Sequence, residues 1–147
     1  MDILIVEDNT EISTLMADFL RKEGYMVATA PSGEKGLELY FKYGARLVLL
    51  DIMLPGLDGF SVCSKIREDS NTPIMILSAK SDKEDKLNGL ILGADDYIDK
   101  PYDVDILLAK TSPTAFVFTY FACSSHGERI SRSLSSLSFG IRFGLTL

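Results

Sequence analysis

The segment RLVLLDIMLPGLDG, residues 46–59, sets four consecutive apolar residues, 47–50, directly against a carboxylate, Asp51. Pro55-Gly56 and Asp58-Gly59 follow. A short run that is apolar at every position suits a strand buried on both faces, as in a parallel sheet. An isolated charge buried at the end of such a strand is expensive, so Asp51 has to be paired, protonated, or placed where the sheet opens. The rest of the chain has to supply the reason.

Working outward, strand-like and helix-like stretches alternate over residues 1–110. Ile3, Leu4, Ile5 and Val6 form a first apolar run. Ile12, Leu15, Met16, Phe19 and Leu20 then recur at helical spacing behind an Asn9 or Thr10 cap, and Gly24 closes the helix. Residues 25–29 read as a second strand. Ser32 caps a second helix whose inner face is Leu37, Tyr40 and Phe41, stopped by Gly44. After the third strand, Asp58 caps a helix carrying Val62, Cys63 and Ile66. Residues 74–77 are a fourth strand, Leu87, Leu90 and Ile91 mark a fourth helix, 96–98 a short fifth strand, and 104–110 the start of a fifth helix. Five such units predict an α/β fold, an open doubly wound parallel sheet with right-handed crossovers.

In open parallel sheets the functional crevice lies beyond the carboxyl ends of the strands. Asp51 sits at such an end, so the expectation is a residue at the mouth that need not be buried. Other strand ends carry chemistry too: Glu7-Asp8 after the first, Ser78 after the fourth, Lys100-Pro101 after the fifth. If the first and third strands are neighbours, Glu7, Asp8 and Asp51 converge. Two like charges about 4 Å apart repel by roughly 4 kcal/mol at an effective dielectric of 20, so such a cluster takes up protons or a cation. Hard oxygen donors with room for water and phosphate describe a Mg2+ site. Lys100 adds a positive charge from the far side and Ser78 a hydroxyl donor, which together make a place to handle a phosphoryl group. Asp51 is the expected nucleophile. Taken singly, each residue has a commoner role: a loop or helix cap, acids favouring a helix dipole, a Lys-Pro loop pair. Four at four strand ends of one sheet are much harder to ascribe to chance.

Composition narrows the class. The 147 residues are 46% apolar and 24% charged, an ordinary balance for a soluble protein. The start, MDILIVEDN, lacks a basic leader, and no apolar run approaches the roughly 20 residues of a membrane span. Cys63 and Cys123 have neither disulfide-framework nor zinc spacing. A cytoplasmic location is the expectation. The net charge of −6 is uneven: residues 1–110 hold 12 basic and 20 acidic side chains, while 111–147 hold three arginines and one glutamate. An acidic first part is poor material for phosphate-driven binding to nucleic acid.

These residues together are recognisable. Residues 1–110 resemble the receiver domain of bacterial two-component response regulators, in particular the winged-helix transcription-factor branch. The matching segments are ILIVEDN (3–9), LVLLDIMLPGLDGF (47–60), PIMILSAK (73–80) and LGADDYIDKPYD (92–103). The resemblance implies a flavodoxin-like sheet in the order 2-1-3-4-5. It implies that Asp51 accepts phosphate from a sensor histidine kinase. Asp8 and Asp51 would bind Mg2+, with Glu7 helping and the Met53 backbone carbonyl as a further ligand. Ser78 stands at the position that turns toward the phosphoryl group, Tyr97 at the aromatic switch, and Lys100 at the phosphate-contacting lysine. A cis peptide before Pro101 is implied as well. Phosphorylation would bias the fourth helix, fifth strand and fifth helix, a surface through which homodimers could also form. Tyr97 could equally be a packing residue at a strand edge.

The resemblance stops near Lys110. The tail, residues 111–147, contains eight serines, five phenylalanines and no lysine, and Pro113 should end the fifth helix early. In the family that helix runs further and a DNA-binding domain follows. Three readings stand: an appendage with strands near 116–121 and 137–143, a disordered serine-rich end, or out-of-frame translation, which is the preferred one. The aromatic content weighs against simple disorder. Residues 115–121 are uncharged and aromatic, an aggregation risk if exposed. His126, the only histidine, has no cysteine or acidic cluster at ligand spacing and is read as solvent-facing.

The expected function is therefore a phospho-accepting signalling module and not a turnover enzyme, with no direct DNA binding and no membrane partner. A Mg2+-dependent phosphohydrolase with an aspartate nucleophile is the second class. It requires an acid/base aspartate two residues after the nucleophile, where this chain has Met53. A nucleotide-binding module lacks its glycine-rich loop. A broken product without signalling output is a third reading. The coding DNA tests the out-of-frame reading: a one- or two-base shift near codon 110 should restore a family-like continuation, and its failure to do so rules that reading out.

Overall fold

The computed structural model describes residues 1–79, 93–100 and 104–111. The chain runs β1 (Ile3–Val6), α1 (Thr10–Lys22), β2 (Val27–Ala30), α2 (Gly33–Tyr43), β3 (Leu47–Asp51), α3 (Gly59–Asp69), β4 (Ile74–Ala79), β5 (Asp96–Lys100) and a last described helix, Val104–Thr111. All strand pairs are parallel and the order is β2-β1-β3-β4-β5. The expected doubly wound sheet and its strand order are both present.

The unbroken apolar runs have the predicted cause. Alternate residues of each central strand face opposite sides, and both sides are covered. Leu4, Val6, Val48, Leu50, Ile74 and Ile76 pack with Leu37 and Tyr40 of α2 and Val62, Cys63 and Ile66 of α3. Ile3, Ile5, Leu47, Leu49, Met75, Leu77 and Ile98 pack with Met16, Ala17 and Leu20 of α1 and Leu107 of the last helix. Each fully buried aliphatic side chain contributes about 1.5–3 kcal/mol relative to exposure.

Helix starts follow the capping residues. The side chains of Asn9, Ser32 and Asp58 accept hydrogen bonds from the backbone N–H groups of Ile12, Lys35 and Ser61. That settles the Asn9-or-Thr10 alternative in favour of Asn9. Two predicted inner faces are rotated from expectation. Leu15 and Phe41 are more than half exposed. The buried stripes are Ser13, Met16, Ala17, Leu20 and Gly33, Gly36, Leu37, Tyr40. Met16, Leu20, Leu37 and Tyr40 keep their predicted places, and the small residues Ser13, Ala17, Gly33 and Gly36 complete the stripes in place of the expected Leu15 and Phe41.

Strand limits also shift. β2 begins at Val27 instead of residue 25, because Tyr25 N–H still bonds the Leu20 carbonyl at the end of α1. β3 includes Asp51, β4 extends through Ser78 to Ala79, and β5 runs on to Lys100. The expected fourth helix around Leu87, Leu90 and Ile91, Pro101 with its cis peptide, the end of the fifth helix at Pro113, Cys123, His126 and the whole tail from 112 lie outside the described residues.

Two polar ties brace the ends of the fold. Arg67, near the end of α3, donates to the carbonyls of Gly93 (2.8 Å) and Thr72 (2.6 Å) and to the Asp95 carboxylate (2.7 Å). Lys110 donates to the Asp96 carboxylate (2.8 Å) and to the Tyr97 carbonyl (2.7 Å), fastening the last helix to β5.

Gly59 starts α3 against the end of β3. A methyl group there would overlap the Asp51 carbonyl oxygen and lie 2.7 Å from Ile52 Cα, both backbone atoms that cannot swing aside. Gly59→Ala is therefore expected to destabilise the fold by about 1–3 kcal/mol, the usual range for overpacking. Urea unfolding checks this, and an unchanged midpoint would contradict it.

Candidate functional site

The carboxyl ends of β1, β3, β4 and β5 come together at one edge of the sheet. Val6 is level with Leu50, so Glu7 and Asp51, each one residue further on, leave their strands at the same height. Asp51 is level with Leu77, which brings Ser78 alongside, and Lys100 is level with Ala79. Sheet order alone thus assembles residues from positions 7 to 100.

Glu7, Asp8 and Asp51 form a cluster in which one carboxylate oxygen from each lies within 4.8 Å of the others. Asp8 is exposed, whereas Glu7 and Asp51 are each only 2% exposed. The expectation that Asp51 need not be buried is corrected here: it stands at the mouth and is buried as well. Its burial is tolerated because both oxygens are engaged. Asp51 Oδ2 accepts from Lys100 Nζ at 2.7 Å, and Asp51 Oδ1 from the Met53 N–H at 3.0 Å. Glu7 is held in the same way, with Oε1 accepting from Asn9 N–H at 3.1 Å and Oε2 lying 3.3 Å from Lys100 Nζ.

Lys100 reaches in from β5, on the far side of β4, and bridges two of the acids. Burial pulls its pKa down, but hydrogen bonding and charge from Asp51, then Glu7, outweigh that and leave it above the ordinary 10.5. Three carboxylates and one ammonium leave a formal charge of −2, with one acid, Asp8, turned to solvent. Hard oxygen donors with that residual charge fit a divalent cation such as Mg2+.

Ser78 is 3% exposed, and its hydroxyl has no hydrogen-bond partner among the described residues. A buried hydroxyl left unsatisfied costs about 1–3 kcal/mol, so its place at the site requires a reason. Tyr97 lies partly buried against the core cluster shared by α2 and α3. The Met53 side chain is 74% exposed, with its backbone held beside Asp51.

Glu7, Asp8, Asp51, Ser78 and Lys100 are thus at this edge, with Met53 on the connection after β3 and Tyr97 on the strand that leads to Lys100. Two contributors were not singled out. Gly59 allows α3 to start against the Asp51 backbone, a role signalled only by a glycine directly after a cap. Glu34, on α2, accepts from Leu57 N–H at 3.1 Å, and no local pattern marks it.

Comparison with known proteins gives a consistent result. The response regulator receiver domain family matches residues 3–112. The response regulator ArlR of Staphylococcus aureus is 45% identical over 108 residues, 74% of this chain and 49% of ArlR. The chain spans about half the length of the curated relatives it matches. Among solved structures, the BeF3-activated N-terminal receiver domain of Klebsiella pneumoniae RstA is 37% identical with a TM-score of 0.71, covering 75% of this chain and 94% of that one. A response regulator from Chloroflexus aurantiacus is 33% identical with a TM-score of 0.70, covering 74% and 92%. Among the described residues, no helix is long and apolar enough to cross a membrane.

Removing the bridging ammonium leaves two buried carboxylates facing each other. Lys100→Met is expected to cost about 2 kcal/mol in metal-free buffer, less than a fully buried pair because the lysine is partly exposed. Since the folded-state pKa of Lys100 is raised, its contribution is complete below about pH 10.5 and is lost as the pH climbs through the higher folded value. Denaturant unfolding of both proteins between pH 8 and 11.5 checks this. A gap that does not narrow above pH 10.5 contradicts it.

Proposed function

Because the chain belongs to the response regulator receiver domain family, we propose that it takes a phosphoryl group onto Asp51 from a sensor histidine kinase. The observation that carries this reading is the buried, doubly held Asp51 beside a lysine bridge and a buried hydroxyl that lacks a partner among the described residues.

An Asp51 carboxylate oxygen attacks phosphorus of a phosphohistidine or a small acyl phosphate. The new O–P bond forms as the bond from phosphorus to the donor's nitrogen or oxygen breaks, and the leaving group departs with that electron pair. The two hydrogen bonds on Asp51 fix the direction of attack, since Lys100 and the Met53 N–H hold one oxygen each. Lys100 then has a phosphoryl oxygen to pair with, and the Ser78 hydroxyl has an acceptor. Mg2+, held by Asp8 and Asp51 with Glu7 behind them and the Met53 carbonyl beside them, would supply further neutralisation of charge on the phosphoryl oxygens.

Dephosphorylation is the attack of water on the same phosphorus, returning the carboxylate and inorganic phosphate. No general acid is available two residues after Asp51, since Met53 is apolar, so the chain is an acceptor and not a turnover phosphatase. A filled site draws Ser78 inward and biases Tyr97, β5 and the helices flanking it, the surface also proposed for homodimers. We assign residues 1–110 to the receiver and 111–147 to a tail outside it. The motifs of the winged-helix branch support a cytoplasmic parent protein that regulates transcription by binding DNA, an output this chain does not itself perform.

Intact mass after incubation with a small acyl-phosphate donor and Mg2+ tests the chemistry. A single phosphoryl adduct is expected, absent from Asp51→Asn and lost when the metal is chelated. An equal adduct on Asp51→Asn, or one indifferent to chelation, overturns the reading.

A further inference from the structure

The proposed cation site is built from two separate pieces of chain. Glu7 and Asp8 follow β1, whereas Met53 lies on the connection of residues 52–58 between β3 and α3. The near end of that connection is fixed by Met53 N–H to Asp51 Oδ1 and Leu54 N–H to the Ile52 carbonyl. Its far end is fixed by Asp58 capping α3 and by Gly59 N–H to the Ile52 carbonyl. Between them Gly56 takes a positive φ of 75°, open to glycine and strained for other residues.

Among the described bonds of residues 53–58, the one that comes from beyond the flanking β3 and α3 is from α2: Glu34 Oε1 accepts from Leu57 N–H at 3.1 Å. The neighbouring Gly33 lies so close that a methyl group there would stand 2.5 Å from the Leu57 carbonyl oxygen. The first turn of α2 therefore bonds the Leu57 N–H and packs closely against its carbonyl. One turn further on, Gly36 packs directly on Val6, where a methyl group would meet the valine side chain at 2.8 Å. Val6 is the residue immediately before Glu7-Asp8.

We infer that Glu34 is a positioning residue for divalent-cation binding, using α2 to key the Met53 connection to the strand that delivers Glu7 and Asp8. The inference rests on the receiver reading above. Glu34 touches neither the ion nor the phosphoryl group; it acts through Leu57.

Calorimetric titration with Mg2+ alone tests it, on the full chain and three variants, with thermal unfolding in metal-free buffer recording that each is folded. Glu34→Ala is expected to weaken Mg2+ binding about tenfold, the effect of losing an outer support of a metal site. Glu34→Asp keeps the charge and suits a helix start, but is one methylene too short, so it should weaken binding similarly and carries the test if the alanine variant does not fold. Glu34→Gln keeps an acceptor oxygen and should bind within about twofold of the original. In the phosphoryl assay, saturating Mg2+ should restore the adduct rate of the weakened variants. Glu34→Asp binding as tightly as the original protein, or Glu34→Gln as weakly as the alanine variant, overturns this inference alone. An original protein that takes up no Mg2+ overturns the receiver reading with it.

Discussion

One ammonium group holds together an edge that would otherwise carry only negative charge. Lys100, at the end of β5, reaches past β4 to Asp51 on β3 and Glu7 beyond β1. A lysine joining three strands in this way constrains the whole sheet. The strands must be parallel so that their carboxyl ends coincide, and in this order so that the acids are neighbours and the lysine stands one strand away. A one-residue slip of β3 would turn Asp51 to the other face and leave the lysine without its 2.7 Å partner.

The core permits this edge without being specialised for it. Two apolar layers clamp the sheet from either side, and the acids and hydroxyl of the site sit where the layers end. Glu7, Asp51 and Ser78 are buried polar residues just at that margin. Glycines at 33, 36 and 59 bring helices hard against the connection after β3, the Val6 side chain and the end of β3, leaving no room for even a methyl group there.

Much of this could be read from the residues in order. The apolar runs at β1, β3 and β4 have no alternation because both faces are covered, so they signal a parallel sheet directly. Asp51, Glu7, Asp8, Ser78 and Lys100 could be read as a group because the fold class fixes where strand ends meet. What escaped was whatever depends on distance across the chain. Leu15 and Phe41 have the right spacing for an inner face, yet they are exposed while Ala17, Gly33 and Gly36 are buried in their helices' inner stripes. The burial of Asp51 and the bridging position of Lys100 depend on side-chain reach, which spacing does not encode. Glu34 is one acid among many on a helix surface until the partner at Leu57, 23 residues later, is in view.

Lys110 gives the last helix an unusual dependence. Its ammonium is bound to the main-chain carbonyl of Tyr97 as well as to the side chain of Asp96, so the helix is bolted to the backbone of β5. The Tyr97 half of that joint rests on a main-chain oxygen, whose place is set by the strand and not by a side-chain rotamer of Tyr97. The same five-residue strand ends at Lys100, inside the acidic pocket, so one short strand carries both the fastening of the last helix and the bridge between the acids.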